Sequence, residues 1–305
     1  MAVVVNGSND RINAVDALNI LTLLLLTVLV AFFRRQLGEQ ALWLLGIFAS
    51  LLVFVLLSAF LAPRHVIWRV THDFSPALII PVIFNAVGPI IEQASPGRWD
   101  MTFAGMDAQL FGALPALWRG VLGRPAWFTD VTSIAYCGYY VAPVAIGVIL
   151  YRREPMANFR TMVFTFVLTF YASYVGYFMF PTVGPRPPIS AEPLVIGGAA
   201  ISDAIRMFIN FAERNRTDAF PSGHAAGALV CLYFAWRTSP IVFASFVPVV
   251  AGILFSTVYL HYHYVIDLVA GGLLACACAW LAPRLEPLLE PHEVMKWLTV
   301  HFGIR

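Results

Sequence analysis

Apolar residues along this chain are concentrated in long runs that short polar stretches separate. Because a membrane-spanning helix needs about 20 mostly apolar residues, eight runs are candidate spans, near residues 15–33, 41–62, 75–95, 130–151, 159–180, 223–237, 240–260 and 264–282. The first resembles a signal sequence, but it lacks a strongly charged start and a small-residue cleavage site, so we expect it to remain as a span. The third contains Pro81, Gly88 and Pro89, and we expect it to be broken or only partly inserted.

Two other segments have the pattern of helices that lie along the membrane surface. Between the third and fourth runs, four apolar residues recur near helical spacing: Leu110, Phe111, Leu114 and Leu117. Between the fifth and sixth runs, an apolar stripe faces away from three polar residues; the stripe is Ile201, Ile205, Phe208 and Ala212, and the polar residues are Asp203, Arg206 and Asn210. Such a stripe fits a helix in the interface plane, and an ordinary surface helix of an extramembrane loop is the alternative.

The composition is that of a membrane protein. Of the 305 residues 60% are hydrophobic and 12% are charged, with a mean hydropathy of +0.77, whereas an average soluble domain is about 25% charged. We therefore expect an all-α, polytopic transmembrane helical bundle with interfacial helices. The net charge of +2, without any Lys/Arg-rich run, gives no reason to expect a nucleic-acid partner. The four cysteines lie in apolar runs without metal-ligand spacing.

The alternation of the spans brings three polar stretches to one face of the membrane. They are PTVGPRPP at 181–188, FPSGH at 220–224 and STVYLHYHYVID at 256–267. Five basic residues stand at the opposite ends of the same spans: Arg152, Arg153, Arg160, Arg237 and Arg284. Because ionisable residues at membrane depth usually mark a functional site, the convergence of the three stretches predicts one.

His263 and Asp267 have the spacing of a nucleophilic histidine and a carboxylate that orients it. Residues four apart on a helix share a face, and a carboxylate there holds one imidazole nitrogen protonated while the other keeps its lone pair. The planar guanidinium of Arg186 suits phosphate oxygens, and the prolines on both sides stiffen the loop that presents it. These residue types together favour chemistry on a phosphate.

FPSGH has the composition of an anion-binding helix start. Ser222 can cap the helix, and the free N–H groups of Gly223 and His224 can bind an anion. His224 is then placed to protonate a departing oxygen. One histidine as nucleophile, one as acid and an anion cradle together predict phosphoryl transfer through a phosphohistidine.

The same polar stretches contain accessory candidates and allow two alternatives, a metal site and a non-enzymatic protein. His261 has Val265 four residues on instead of a carboxylate, so we expect it to be accessory or structural; the other accessory candidates are Tyr264, Arg214 and Arg216. A metal site built from His224, His261, His263 and Asp267 is disfavoured because Arg186 is a poor neighbour for a cation, and we expect neither metal nor cofactor. A transporter or binding protein is the non-enzymatic alternative, and it would place charged residues in mid-span.

The three motifs resemble those of a known family. GPRP, FPSGH and H-x-x-x-D, in this order, are similar to the signature motifs of the type 2 phosphatidic acid phosphatase and haloperoxidase superfamily, over roughly residues 159–283. The resemblance implies a six-helix-type core in which His263 attacks phosphorus, Asp267 orients it and His224 protonates the leaving group. It also implies that phosphate oxygens are held by Arg186, Ser222 and Gly223. The haloperoxidases are soluble, unlike this chain.

Two departures from the superfamily pattern point to one of its branches. Met179 stands where the first motif usually has lysine, and Ser256-Thr257 stands where the third usually has Ser-Arg. The third motif, with Tyr259, Leu260 and Tyr264 around its histidine, resembles that of inositol phosphorylceramide synthases, and so does the stretch Asp107-x-x-Leu110-Phe111-Gly112-x-x-Pro115. This resemblance implies transfer of a phospho-headgroup from a phospholipid to a lipid alcohol such as ceramide. A simple lipid phosphate or polyprenyl phosphate phosphatase is the alternative.

The organisation that follows has three parts. We expect an N-terminal transmembrane and interfacial region at 1–125, a catalytic core at 126–285 and a C-terminal tail at 286–305. Since basic residues favour the cytoplasm, the basic ends of the spans predict an active site on the non-cytoplasmic face; Arg34 and Arg35 disagree, because eight spans put them on the motif side. The expected partners are membrane lipids, with water as a possible acceptor.

Overall fold

Helices make up most of the described chain. The computed structural model describes residues 12–95, 97–112, 118, 121–123, 125–187 and 197–290. Its helices are α1 (Ala14–Phe32), α2 (Arg34–Leu37), α3 (Gln40–Leu61), α4 (Val66–Asp73), α5 (Pro76–Ala94), α6 (Asp100–Phe111), α7 (Ala126–Arg153), α8 (Met156–Met179), α9 (Ala200–Ala212), α10 (Gly223–Thr238), α11 (Pro240–Tyr259) and α12 (Val265–Leu289). Within these residues the only β pairing is a single bridge between Thr182 and Asp218. The predicted all-α class is confirmed.

Seven of the helices in the described part are long and apolar enough to cross a membrane: α1, α3, α5, α7, α8, α11 and α12. They coincide with seven of the eight predicted spans, so the protein is a multi-pass membrane protein. The eighth span is α10, which has 16 residues and is therefore about 24 Å long. Because the hydrocarbon core of a bilayer is about 30 Å thick, α10 is short for a complete crossing.

The third span is one continuous helix, so the expected break in it was wrong. Pro81 and Pro89 both lie inside α5, where each removes a backbone donor. The Asn85 side chain donates to the carbonyl of Pro81 at 3.1 Å and to that of Ala212 at 2.8 Å, which ties the helix to the end of α9. The buried isoleucines of its inner face pack in the core, and such packing lets a membrane helix keep its prolines.

The spans run alternately up and down, and this places all three motifs at one end of the bundle. One apolar cluster packs α1, α3 and α5 against α8, and a second fills the space between α7, α8, α10, α11 and α12. The motif face carries residues 181–187, 217–224 and 259–267. The basic face lies at the other end, with five exposed arginines: Arg152, Arg153, Arg160, Arg237 and Arg284.

Two helices lie across the motif face, where the sequence predicted interfacial segments. In α9, Ile201 and Phe208 of the predicted apolar stripe are about half exposed, whereas Ile205 is half-buried against the cluster that contains Ile209. Arg206, on the predicted polar face, is buried. The exposed apolar side chains suit contact with lipid. The other segment forms α6 and ends at Phe111; the predicted apolar positions 114 and 117 lie outside the described residues.

Candidate active site

The first motif forms a loop, residues 181–187, that lies against both other motifs. Gly184 adopts a φ of +81°, and a Cβ atom there would come within 2.8 Å of the Tyr262 carbonyl oxygen, so only glycine allows this approach. The amide of Ala219 donates to the carbonyl of Thr182 at 3.0 Å. These contacts align the loop with the residues just before FPSGH.

The second motif begins α10 where that helix contacts α12. The hydroxyl of Ser222 caps the helix by accepting from the Ala225 amide at 3.2 Å, as predicted for a cap. The Ser222 amide donates to the carbonyl of Asp267 at 3.0 Å. A Cβ atom on Gly271 of α12 would lie 2.5 Å from the Ser222 carbonyl oxygen, so a larger residue would push the second and third motifs apart.

His263 has one fixed ring nitrogen and one that faces the second histidine. Its Nδ1 lies 3.0 Å from the carbonyl oxygen of Ala219 and 3.4 Å from Oδ2 of Asp267. Because a carbonyl only accepts, Nδ1 carries the proton and Nε2 keeps its lone pair. Burial lowers the pKa of His263 well below its usual range, and the neighbouring His224 and Arg186 lower it further. The ring is therefore neutral and suited to attack an electrophile.

Asp267 supports the third motif in two ways. Its Oδ2 accepts from the amide of Tyr264 at 2.8 Å, which fixes the first turn of α12. The same oxygen faces His263 at 3.4 Å, and both side chains are fully buried. A carboxylate in this position balances the positive charge that His263 acquires when Nε2 forms a bond. Tyr264 contributes its backbone and is half-buried.

His224 lies between His263 and a group of aromatic and acidic side chains. Its Nδ1 is 3.3 Å from Nε2 of His263. Its Nε2 is 2.7 Å from the hydroxyl of Tyr136 and 3.4 Å from Oε1 of Glu213. The ring centroid of Tyr139 lies 4.1 Å from that of His224. The ring is thus oriented from both nitrogens, with Nδ1 toward the predicted nucleophile.

Arg186 is buried and paired with a carboxylate that lies outside the three motifs. Its Nη2 donates to Oδ2 of Asp218 at 3.1 Å, and its guanidinium lies over the ring of Tyr262 at 5.3 Å. Burial would lower the pKa of Arg186, but the Asp218 carboxylate raises it. Among the described residues neither Nε of Arg186 nor Oδ1 of Asp218 has a hydrogen-bond partner. The guanidinium therefore has donor capacity left for a phosphate.

The two departures from the superfamily pattern have different surroundings. Met179 is 60% exposed at the end of α8 and points out of the bundle. Thr257 is fully buried, and its carbonyl accepts from the amides of Tyr262 and His263 at 2.9 and 3.0 Å. Position 257 thus supports the histidine loop through its backbone, and a larger side chain there would have to displace packed neighbours.

The remaining predicted residues lie around the edge of the site. His261 has a φ of +65°, a left-handed conformation in which it ends α11 and turns the chain toward His263. Arg214 is exposed, with its guanidinium over the ring of Phe211. Arg216 donates to the side chain of Asn210. A Cβ atom on Gly223 would lie 2.7 Å from the Tyr177 hydroxyl. In the described chain no cluster of His, Cys, Asp and Glu could hold a metal ion.

One face of α6 holds all three motifs in place. Oδ1 of Asp100 accepts from the amides of Val183 and Gly184 at 2.9 and 3.0 Å. The ring of Phe103 stacks on that of Phe220, with centroids 4.0 Å apart, and Oδ1 of Asp107 accepts from the Ile266 amide at 2.9 Å. Residues three and seven positions apart share a helix face. In the sequence, the spacing of Asp100, Phe103 and Asp107 on one helix face indicates that this face contacts other parts of the protein.

Comparison with known proteins agrees with the geometry of the site. The sequence model of the PAP2 superfamily matches residues 101–281, more than half of the chain. The chain belongs to the PAP2 superfamily. The resemblance drawn from the three motifs is therefore confirmed, and the matched region includes α6 from its second residue onward. No solved structure matches the chain significantly.

Three curated relatives extend the comparison. The chain is 26% identical over 200 residues to the phosphoinositol dihydroceramide synthase of Bacteroides thetaiotaomicron, covering 58% of this chain and 64% of the relative. It is 26% identical over 251 residues to the inositol phosphorylceramide synthase catalytic subunit of Schizosaccharomyces pombe, covering 73% of this chain and 57% of the relative. A PA-phosphatase related-family protein of Dictyostelium discoideum is 23% identical over 235 residues, covering 63% and 41%. The chain thus spans less than two thirds of each relative.

Removing the α6 contact to the third motif should slow the reaction. In Asp107→Ala the Ile266 amide loses its acceptor, which costs about 1–3 kcal/mol. The His263 loop then loses its fixed position, and a 1 Å misplacement can lower turnover about 100-fold. Met101→Ala, on the 87% exposed outer side of α6, is the matched control and should keep full activity. The readouts are turnover and thermal stability in detergent; full activity in Asp107→Ala would contradict the positioning role.

The two histidines of the third motif should differ sharply on substitution. His261→Gly suits the left-handed backbone and should keep at least about a third of wild-type turnover, while His263→Ala should lose at least about 1,000-fold because a bond-forming group is gone. Both are measured in the same detergent with expression as a check on folding. Comparable losses at both positions, or a tenth of wild-type activity in His263→Ala, would remove His263 as the nucleophile.

Proposed function

We propose that the protein is a membrane-embedded lipid phosphotransferase, with His263 as the nucleophile and His224 as the acid. In this proposal a phospho-headgroup moves from a phospholipid to a lipid alcohol through a phosphohistidine on His263. The observation that carries the proposal is the buried histidine pair, in which the unprotonated Nε2 of His263 faces Nδ1 of His224 at 3.3 Å. In-line displacement at phosphorus requires a nucleophile that attacks the phosphorus atom and a proton donor for the leaving oxygen, and this pair supplies one residue for each role.

In the first half-reaction Nε2 of His263 attacks phosphorus. The N–P bond forms as the bond from phosphorus to the glycerol oxygen breaks, and that oxygen takes the proton from Nδ1 of His224. Arg186 binds phosphate oxygens through the donors that Asp218 leaves available. The reaction needs about 3 Å between Nε2 of His263 and phosphorus and a hydrogen bond of about 3 Å between the leaving oxygen and Nδ1 of His224. A phosphate with both distances does not fit between two nitrogens that are 3.3 Å apart. The rings therefore separate when substrate binds.

In the second half-reaction the acceptor reverses these steps. Nδ1 of His224 removes the proton from the acceptor hydroxyl as its oxygen attacks phosphorus, and the N–P bond breaks. His263 returns to its neutral form with Nδ1 still bonded to the Ala219 carbonyl. With a lipid alcohol as acceptor the product is a new phospholipid, and with water the reaction is hydrolysis.

Two observations support transfer to a lipid alcohol. Two relatives carry the names of synthases that make phosphoinositol dihydroceramide and inositol phosphorylceramide, so we propose an inositol phospholipid as donor and a ceramide-type alcohol as acceptor. The reactive groups are also withdrawn from the surface, since His263 and Asp267 are fully buried and α10, which carries His224, is short for the bilayer. A simple lipid phosphatase is the second candidate, favoured by the phosphatase name of the third relative.

An acceptor-dependence assay tests the proposed function. Purified protein in mixed micelles receives phosphatidylinositol labelled in its phosphate, with or without ceramide, and labelled phosphatidic acid in parallel. Label should appear in a ceramide product only when ceramide is present, and release of water-soluble label without ceramide should be at least about 10-fold slower. The His263→Ala protein is the background control.

The outcomes of this assay separate the candidate functions. Release of phosphate from phosphatidic acid that ceramide neither redirects nor accelerates would contradict the transferase proposal and establish the phosphatase. Absence of any product from either donor would contradict both proposed donor lipids, and polyprenyl phosphate would be the next donor to assay.

We also propose that the motif face is non-cytoplasmic. The exposed arginines of the basic face lie near helix ends, and four of them flank the short connections between α7 and α8 and between α10 and α11, where the positive-inside tendency is strongest. In a variant with all four cysteines replaced, Asp203→Cys at the motif face should react with a membrane-impermeant thiol reagent in intact cells. The matched variant Arg153→Cys, exposed on the basic face, should react only after lysis. Protection of position 203 with labelling of position 153 would reverse the orientation.

A further inference from the structure

Glu213 is a buried carboxylate beside the second histidine, and none of the three motifs contains it. It is the residue that follows α9, and its side chain is 6% exposed. Oε1 lies 3.4 Å from Nε2 of His224. The hydroxyl of Tyr136 donates to Oε2 at 3.1 Å, and that of Tyr140 donates to Oε1. Both tyrosine hydroxyls donate to the carboxylate, which is the environment of an ionised group.

The charge state of Glu213 agrees with this environment. Burial alone would raise the pKa of Glu213, but the charge and hydrogen bond of His224, the charge of Arg186 and the hydrogen bond from Tyr140 hold it at about 2. The carboxylate is therefore ionised over the whole pH range in which a lipid enzyme works. A buried anion needs a cation nearby, and the imidazole of His224 is a basic side chain within 3.4 Å of it.

The hydrogen bonds around His224 are all satisfied together when each ring nitrogen carries a proton. His263 keeps its Nδ1 proton on the Ala219 carbonyl, so its Nε2 can only accept and Nδ1 of His224 must donate to it. The Tyr136 hydroxyl has one proton, and when this is donated to Glu213, Nε2 of His224 must donate to the Tyr136 oxygen at 2.7 Å. With both nitrogens donating, the ring is an imidazolium.

We propose that Glu213 is the positioning residue that keeps His224 protonated and directed at the leaving oxygen. It acts together with the hydroxyl of Tyr136, which is hydrogen-bonded to both Glu213 and His224. This inference rests on the proposed function, because it assigns His224 its role as acid. Glu213 exchanges no proton during the reaction. The proton on Nδ1 of His224 goes to the leaving oxygen, and Nδ1 regains a proton from the acceptor hydroxyl. The proton on Nε2 stays on that nitrogen throughout, hydrogen-bonded to Tyr136.

Groups on several elements surround His224 and bear on its charge. They are Tyr136 and Tyr139 on α7, Glu213 after α9, Arg186 and Asp218 in the adjoining loops, and His263 before α12. Arg186 already has Asp218 as its counter-ion. Asp267 faces His263, so Glu213 is the carboxylate left to balance His224.

The pH dependence of Glu213→Gln tests the proposal. The variant keeps the shape and the acceptor oxygen but loses the charge, so the protonated form of His224 becomes less stable. The alkaline limb of the kcat/KM profile should move to lower pH by about 1–2 units, the usual effect of one opposite charge within hydrogen-bonding distance. Turnover should approach wild type at the acid end. Asp203→Asn, an exposed carboxylate on α9, is the matched control and should leave the profile unchanged.

The pH profile is measured with whichever donor the wild-type protein uses, phosphatidylinositol or phosphatidic acid. Failure of the proposed transfer to ceramide therefore leaves this test of Glu213 unaffected. NMR of 15N-histidine-labelled protein, with His224→Ala to assign the signal, gives a readout without turnover: His224 should lose its proton at lower pH in Glu213→Gln than in wild type. Glu213→Asp keeps the charge and should shift by less, which preserves the test if the Gln variant does not fold. A loss of turnover uniform across pH, with an unchanged His224 titration, would overturn the proposal.

Discussion

The hydrogen bond between Nδ1 of His263 and the Ala219 carbonyl is the constraint on which the site depends. It fixes the proton on one ring nitrogen and directs the other toward His224. The carbonyl itself is held because the Ala219 amide bonds to Thr182 of the first motif loop. Each motif thus sets the geometry of the next: the first aligns residue 219, residue 219 orients the nucleophile, and the nucleophile faces the acid. Loss of any one contact would free a ring that has to be positioned within a fraction of an ångström.

The bundle supplies this constraint with a rigid setting at membrane depth. The alternating spans carry the motifs to one end, the close approach at Gly271 brings α10 against α12, and α6 holds the assembly from outside through Asp100, Phe103 and Asp107. Burial has a chemical consequence as well. It keeps His263 neutral and strengthens the charge interactions inside the site. The buried Arg186 and His224 each lie beside a carboxylate, Asp218 and Glu213 respectively, which stabilises positive charge on them.

Much of this arrangement was predictable from the sequence, because apolar runs determine spans and spans determine which loops meet. The positions of seven spans, the all-α class and the convergence of the three motifs follow from hydrophobic length alone. The continuity of α5 did not, since the side chain of Asn85 that bonds to Pro81 and Ala212 belongs to a tertiary contact. Asp218 and Glu213 were missed for the same reason: a charge beside a motif has the same appearance in sequence whether it is solvated or buried against a partner. The assigned roles of the site residues remain proposals that the geometry supports.

The central claim is that a covalent bond forms at Nε2 of His263, and trapping that bond tests it most directly. Wild-type protein is mixed with labelled donor lipid without acceptor, quenched in base to preserve phosphohistidine, digested and analysed by mass spectrometry. The account predicts a phosphorus adduct on the peptide that contains His263, labile to acid, absent in His263→Ala and discharged when a lipid alcohol is added before the quench. An adduct on another residue, or transfer at the wild-type rate with no adduct on any time scale of the reaction, would contradict it.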